Sequence, residues 1–266
     1  MGNSRRDFIK MVGVSVIGLS VPPLTSILFA KDKTPTLKEG PAGLSPAPAN
    51  APSLKAKRWA MAVDAAKCRP GCTDCTVACH LEHNVPDFGN PKDEIQWIGL
   101  QTFAHVFAGA DQPYMPESLK GLPLPILCNH CDNPPCVRVC PTKATFRRSD
   151  GIVMMDYHRC IGCRFCMSAC PFGARSMNYR DPRPFIRRLN PDFPTRTQGV
   201  VEKCNFCEER LYRGMLPACV LACKEKALIF GDAEDPRSDV RRLLDRRFSI
   251  RRRAELGTKP QVYYFL

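Results

Sequence analysis

Sixteen cysteines fall into four groups of four, and none is left over. The groups are Cys68, Cys72, Cys75, Cys79; Cys128, Cys131, Cys136, Cys140; Cys160, Cys163, Cys166, Cys170; and Cys204, Cys207, Cys219, Cys223. The third reads C-I-G-C-R-F-C-M-S-A-C-P, a C-x2-C-x2-C-x3-C-P run. Two-residue gaps let a tight loop wrap three sulfurs around one compact metal cage. The three-residue gap then starts a helix that carries the fourth sulfur away.

That spacing is the one by which bacterial ferredoxins hold a [4Fe–4S] cubane. In two-cluster ferredoxins the fourth cysteine ligates the other cluster, so the motifs work in pairs and neither folds alone. Pro141 and Pro171, each just after a fourth cysteine, fix φ and remove a donor where the chain leaves the motif. Gly71 and Gly162 sit where a positive φ or a close backbone approach is expected. The second group widens its middle gap with Pro134 and Pro135, and the fourth widens it further, with Gly214 and Pro217 supplying a turn. The first departs from the regular pattern by one extra residue between Cys68 and Cys72, which Pro70-Gly71 turn chemistry can absorb. Four sets of four thiolates suggest four [4Fe–4S] clusters and single-electron chemistry.

Disulfides and zinc are the blander readings. A disulfide scaffold suits an exported chain with an even cysteine count, but this chain is longer than the small domains that need many staples. Closely spaced C-x2-C pairs also make poor structural bridges. Four-thiolate zinc sites use two separated pairs and do not require the full ferredoxin run. Covalent haem c is excluded, because no C-x-x-C-H occurs.

The N-terminus reads Ser4-Arg5-Arg6-Asp7-Phe8-Ile9-Lys10 and then a moderately apolar stretch to Ala30. It is expected to be a twin-arginine signal peptide over 1–30, placing the chain on the periplasmic side of the cytoplasmic membrane, peripherally attached. Export of already folded proteins suits clusters assembled in the cytoplasm. The formal charge of +13 invites a nucleic-acid partner, and we reject it. Residues 1–30 hold Arg5, Arg6 and Lys10 against Asp7, a net +2, so +11 remains. Oxidised cubanes with four thiolates carry about −2 each, which brings four of them and the chain to roughly +3. Lys67, Arg138, Arg159, Arg164 and Lys203, all beside cysteines, are expected to compensate cluster charge. The Arg-rich stretch 241–253 reads as a solvated helix face, or as a surface for an acidic partner or lipid headgroups.

Residues 31–57 are Lys/Pro/Ala-rich and read as a mobile linker. A four-cluster domain is expected over 58–233 and an extension over 234–266, with a helix at Ser238–Arg247 and a terminal strand after Gly257. Strands are expected at Arg58–Asp64, Thr145–Arg147, Ile152–Met155 and Ala227–Gly231. Cys140 and Cys223 are both followed by Lys at +3 and Ala at +4, and Cys170 shares the Ala. Strand, cysteine loop, helix, strand, repeated, gives an α+β fold of two nested 2[4Fe–4S] ferredoxin-like modules. The short span from Cys140 to Cys160 pairs groups two and three as an inner module, about 122–180. Groups one and four then pair around it as an outer module, about 58–105 with 198–233. The cross-over rule assigns Cys68, Cys72, Cys75 with Cys223; Cys128, Cys131, Cys136 with Cys170; Cys160, Cys163, Cys166 with Cys140; and Cys204, Cys207, Cys219 with Cys79. The connections 80–127 and 171–203 exceed simple turns and are expected to carry partner contacts. Of five histidines, His80, His83, His105, His130 and His158, three sit in or beside the motifs, where a hydrogen bond to sulfur would raise a cluster potential. No catalytic dyad, phosphate loop or flavin motif is present, which points to a relay subunit and not to an enzyme complete in itself.

The layout C-N-H-C-D-N-P-P-C…C-P, C-I-G-C-R-F-C-x3-C-P-F-G-A and K-C-N-F-C…G…P-A-C resembles the four-cluster iron–sulfur subunits of the dimethyl-sulfoxide-reductase family. Within that family, the leader, Cys79-His-Leu-Glu-His-Asn-Val-Pro86, Arg180-Asp-Pro-Arg-Pro-Phe185 and the ending Leu256-Gly-Thr-Lys-Pro-Gln-Val-Tyr-Tyr resemble the periplasmic subunits of sulfite-reduction-associated (Dsr) membrane complexes. The resemblance implies electron transfer between a polytopic quinone-interacting membrane subunit and a multihaem cytochrome c, with further Dsr subunits as partners. The alternative is the same kind of relay serving a polysulfide, tetrathionate or nitrite reductase, or a hydrogenase.

Overall fold

The computed structural model describes residues 51–110 and 114–266. The expected signal peptide and residues 31–50 of the expected linker lie outside the described residues. Residues 51–57 belong to the body and are not linker. The Leu54 N–H donates to the Leu211 carbonyl at 2.8 Å, and that of Lys57 donates to the Asp232 carboxylate at 2.8 Å.

β1 (Trp59–Asp64) is buried along its whole length, as its apolar run demands. It is the centre of a three-stranded sheet, antiparallel to β8 (Leu228–Asp232) and parallel to β9 (Val262–Phe265). Trp59 stacks on Phe230 across the antiparallel pair with centroids 5.0 Å apart. The strand before the first cysteine group is thereby paired with the strand after the fourth. The remaining pairings are two-stranded and antiparallel: β2 (Ile98–Thr102) with β3 (Pro123–Leu127), β4 (Thr145–Arg147) with β5 (Val153–Met155), and β6 (Ser176–Met177) with β7 (Val201–Glu202).

The helices are short: α1 (Asp74–Glu82), α2 (Phe103–Val106), α3 (Glu117–Lys120), α4 (Pro135–Arg138), α5 (Phe165–Ser168), α6 (Glu208–Tyr212), α7 (Ala218–Ala222) and α8 (Asp239–Arg246). Packing follows the motif pairs. α1 of group one lies against α7 of group four, with Ala78, Ala218 and Ala222 letting the backbones approach, and α4 of group two lies against α5 of group three. α8, introduced by Ser238, buries Val240 against β8 and β1. No described helix is long and apolar enough to cross a membrane.

The two long connections build core. Ile95, Trp97, Ile98, Phe103, Leu124 and Leu127 are all buried there. Arg196 of the second connection donates to the Asn84 carbonyl at 2.9 Å and pairs with Glu202 at 2.6 Å, both side chains fully buried. Glu202 also accepts from Trp97 Nε1 at 2.9 Å. These contacts tie the two connections together beneath the motifs. The Arg-rich stretch is also largely engaged within the chain: Arg241 pairs with Asp245 at 2.9 Å, Arg242 with Asp239, and Arg247 with Asp64 at 2.8 Å.

Candidate iron–sulfur centres

A left-handed residue precedes the second cysteine in every group. It is Gly71 (φ +74), His130 (φ +41), Gly162 (φ +68) and Phe206 (φ +59). One backbone conformation thus turns all four loops inward, although only two of the four positions are glycine. In group one the extra residue is taken up by a turn in which the Cys72 N–H donates to the Arg69 carbonyl at 3.2 Å. Pro70 precedes Gly71 there, the type II pairing of a fixed φ with a positive one. At Gly162 space adds to conformation, because a Cβ would lie 2.4 Å from the Gly199 carbonyl oxygen.

A second repeated turn closes the motifs. Lys143, Gly173 and Lys226, each three residues past a fourth cysteine, are left-handed at φ +55, +61 and +51. This turn aims the next N–H back at sulfur. The Ala227 N–H donates to Cys223 Sγ at 3.2 Å, and the N–H groups of Ala144 and Ala174 likewise bond the Cys140 and Cys170 sulfurs. At Cys140 burial raises the thiol, but these bonds, from Thr145, Thr142 and Ala144, outweigh it and bring the thiol below its ordinary value. Group one differs because α1 runs on past Cys79. There the side chain of His83, again at +4, places Nδ1 3.5 Å from Cys79 Sγ.

None of the sixteen cysteines is joined in a disulfide. Cys68, Cys72, Cys75 and Cys223 line one recess. Burial raises the Cys75 thiol to about 11, with the charges of Cys68, Cys223 and Cys72 adding to it. Cys79, the fourth of group one, is not in that set. Burial and the charges of Cys204 and Cys219 hold its thiol well above the ordinary range. Cys207 is raised by burial, then by Cys219, Glu209, Cys79 and Cys204. Cys131 is pushed up to about 12, by burial first and then by Cys128, with Cys136 and Cys170 adding. Cys140, Cys160 and Cys166 pack in one cluster with Cys136, and Cys163 is half-buried in the same loop as Gly162. Contacts between sets place them in a row. Cys166 feels Cys136, Cys204 feels Cys128, and Cys219 and Cys79 feel Cys75. The order along the row is group three, two, four, one. Half-buried thiols gather at its two ends, Cys140, Cys160 and Cys163 at one and Cys68, Cys72 and Cys223 at the other; inside the row Cys170 alone is half-buried.

The surroundings call for buried negative charge. Lys203 is buried, donates from Nζ to the Val153 carbonyl and, at 2.7 Å, to that of Cys204. Burial lowers its pKa, while Cys128, Cys204 and Cys136 act to raise it. Arg175 is buried too, bonding Thr145 Oγ1 at 2.8 Å and standing close to Cys136, Cys166 and Cys128. Neither forms an ion pair with a carboxylate among the described residues. His130 accepts the Val153 N–H at Nδ1 (3.0 Å), so its proton is on Nε2, a buried donor without a protein partner. Burial, then Lys203 and Arg175, hold its pKa well below the ordinary value, keeping the ring neutral. Buried cations need a counter-charge, and clustered thiols that raise one another need a cationic core. A compact iron–sulfide cage with thiolate ligands, anionic overall and rich in sulfur acceptors, fits both requirements.

Sequence reasoning named Lys203 but missed Arg175, whose place in sequence, five residues past Cys170, gives no sign of burial. It also named Lys67, Arg138, Arg159 and Arg164, which are exposed; Lys67 and Arg159 pair with Asp64 and Asp156 at 3.5 and 3.2 Å. His105 and His158 are exposed, whereas His83 and His130 are buried.

Two models of a 4Fe-4S dicluster domain match the chain, over residues 120–182 and 159–228. The chain is 39% identical to the Hdr-like menaquinol oxidoreductase iron-sulfur subunit 1 of Archaeoglobus fulgidus, over 98% of this chain and 97% of that protein. It is 38% identical to a tetrathionate reductase subunit of Salmonella typhimurium, over 99% and 88% respectively. Similarity also extends to the iron-sulfur cluster-binding subunit of a menaquinone reductase from Nitratidesulfovibrio vulgaris, 36% identical over 78% of this chain and 88% of that protein.

Proposed function

The chain belongs to the family of 4Fe–4S electron-transfer subunits of oxidoreductase complexes, and from that premise we propose that it relays single electrons through four [4Fe–4S] clusters. The ligand sets are Cys68, Cys72, Cys75, Cys223; Cys128, Cys131, Cys136, Cys170; Cys160, Cys163, Cys166, Cys140; and Cys204, Cys207, Cys219, Cys79. One observation carries the reading: the fourth thiol of group one stands among the group-four thiols, and that of group four among those of group one. The nested inner and outer modules follow from the same exchange. The clusters supply the redox chemistry. The protein binds them, excludes water from the interior of the row, and leaves thiols accessible at its two ends.

In this reading the chain works on the periplasmic side of the membrane as a DsrO-type subunit, between a quinone-interacting membrane subunit and a cytochrome c. The menaquinol-linked name of the Archaeoglobus relative supports the quinone side. A second reading, service to another respiratory reductase, is favoured by near full-length similarity to the tetrathionate reductase subunit. Affinity purification of the full chain from its own membranes separates them. A quinone-interacting subunit with a multihaem cytochrome supports the first, and a molybdenum catalytic subunit supports the second. Near-zero iron and acid-labile sulfide in anaerobically purified protein would sink both.

A further inference from the structure

At the middle of the row the group-two and group-four loops meet. His130, from the group-two loop, stacks on Phe206, from the group-four loop, with ring centroids 3.6 Å apart and an interplanar angle of 22°. Lys203 lies beside the same joint, near Cys128 and Cys136 on one side and Cys204 on the other. Arg175 stands on the group-two side, near Cys128 and Cys136, and also near Cys166 beyond. On the group-four side Lys203 bears on Cys204, whereas the charged side chain that bears on Cys79 and Cys207 is an anion. Glu209 accepts from Asn205 Nδ2 at 2.8 Å and pairs with His83 Nε2 at 2.8 Å, and its charge bears on Cys79, Cys207 and Cys204.

Resting on the ligation proposed above, we propose that the relay has a potential step built into its midpoint. Lys203, Arg175 and the unpartnered Nε2–H of His130 raise the potential of the cluster held by Cys128, Cys131, Cys136 and Cys170. Glu209 lowers that of its neighbour, held by Cys204, Cys207, Cys219 and Cys79. Reduction adds one negative charge to a cluster, which nearby cations and hydrogen-bond donors favour and a nearby carboxylate disfavours. In a dry interior such charges act with little screening. The electron given up on the group-four side is the one gained on the group-two side, so the step biases single electrons toward the inner module. These four residues touch no reacting substrate; they tune and position.

The experiment is an EPR-monitored redox titration of the anaerobically purified, cluster-loaded full chain. Cys131→Ser and Cys219→Ser each perturb one signal and so identify the two central clusters. In the unmodified chain the Cys131-linked signal is expected at the higher potential. Lys203→Met lowers it and narrows the gap, while Lys203→Arg, keeping the charge, leaves the gap open. Glu209→Gln narrows the gap from the other side by raising the Cys219-linked signal. If Lys203→Met loads no iron at this site, Arg175→Gln carries the same expectation of a lowered Cys131-linked potential. The reverse order in the unmodified chain, or a gap indifferent to these charge changes, overturns the proposal. Iron and sulfide content separates the failures, since a chain without iron refutes the ligation, whereas full loading without a step refutes only this inference.

Discussion

Arg196 and Glu202 sit side by side, shut off from solvent, 2.6 Å apart and each fully buried. Arg196 also lies over the rings of Trp97 and Phe193. Two charges removed from water are tolerated because each neutralises the other. The Arg196 Nη1 and Nη2 groups also donate to the Pro194 and Asn84 carbonyls at 2.9 Å, leaving Nε as the one buried nitrogen of the pair without a partner. Arg196→Ala breaks that compensation and leaves Glu202 charged and alone among Trp97 and Asn178. The expected cost is roughly 3–5 kcal/mol, visible as a lower urea midpoint of the cluster-loaded protein. An unchanged midpoint would mean that the pair contributes nothing. That the two are buried and paired was not legible in the sequence, because burial of an Arg depends on where distant segments close over it. The same holds for Arg175. His130 and His83 were legible as motif histidines, and their partners, Phe206 and Glu209, were not.

At the scale of elements, the strands flanking the cysteine loops were legible because each is a short apolar run bounded by turn residues. β1, β4, β5 and β8 stand where the sequence places them, give or take a residue, and β9 takes up only the last part of the stretch expected after Gly257. The β2–β3 pair was not. Pro123 and Pro125 break the expected pattern, and a two-stranded pair tolerates them because alternate N–H groups of an edge strand face outward. The Lys-Ala repeat after the fourth cysteines was visible in the sequence, but its meaning, a left-handed turn aiming an N–H at sulfur, needed backbone angles. Pairing of β1 with β8 brings Cys223 to the first group, and the proposed exchange makes a directional prediction. Cys223→Ser should remove about a quarter of the iron, from the site shared with Cys68, Cys72 and Cys75. Loss instead of a site served by Cys204 and Cys207, sparing that of group one, would refute the assignment. The long connections, expected to carry partner contacts, also fill the core beneath the motifs, a role that their sequence did not announce.

For the whole molecule, charge is the property most altered by its cofactors. The chain alone is strongly basic, at +13, while four loaded cubanes would contribute roughly −8. Removing iron anaerobically with a chelator should therefore raise the native isoelectric point as well as expose thiols. A loaded form no less basic than the iron-free one would argue against four anionic clusters. The proposed exchange of fourth cysteines has another consequence, which concerns manufacture. A chain growing from its N-terminus holds both halves of the inner ligand sets once Cys170 has emerged, but the first motif waits for Cys223, more than 150 residues after Cys68. Any product cut short before that residue carries an incomplete outer site, with vacant thiols and an unpaired β1. On the proposed ligation, completion of the outer sites therefore reports that translation has run nearly to its end, so a secretion route that accepts only finished, folded cargo could distinguish whole molecules from fragments by the state of their metal sites.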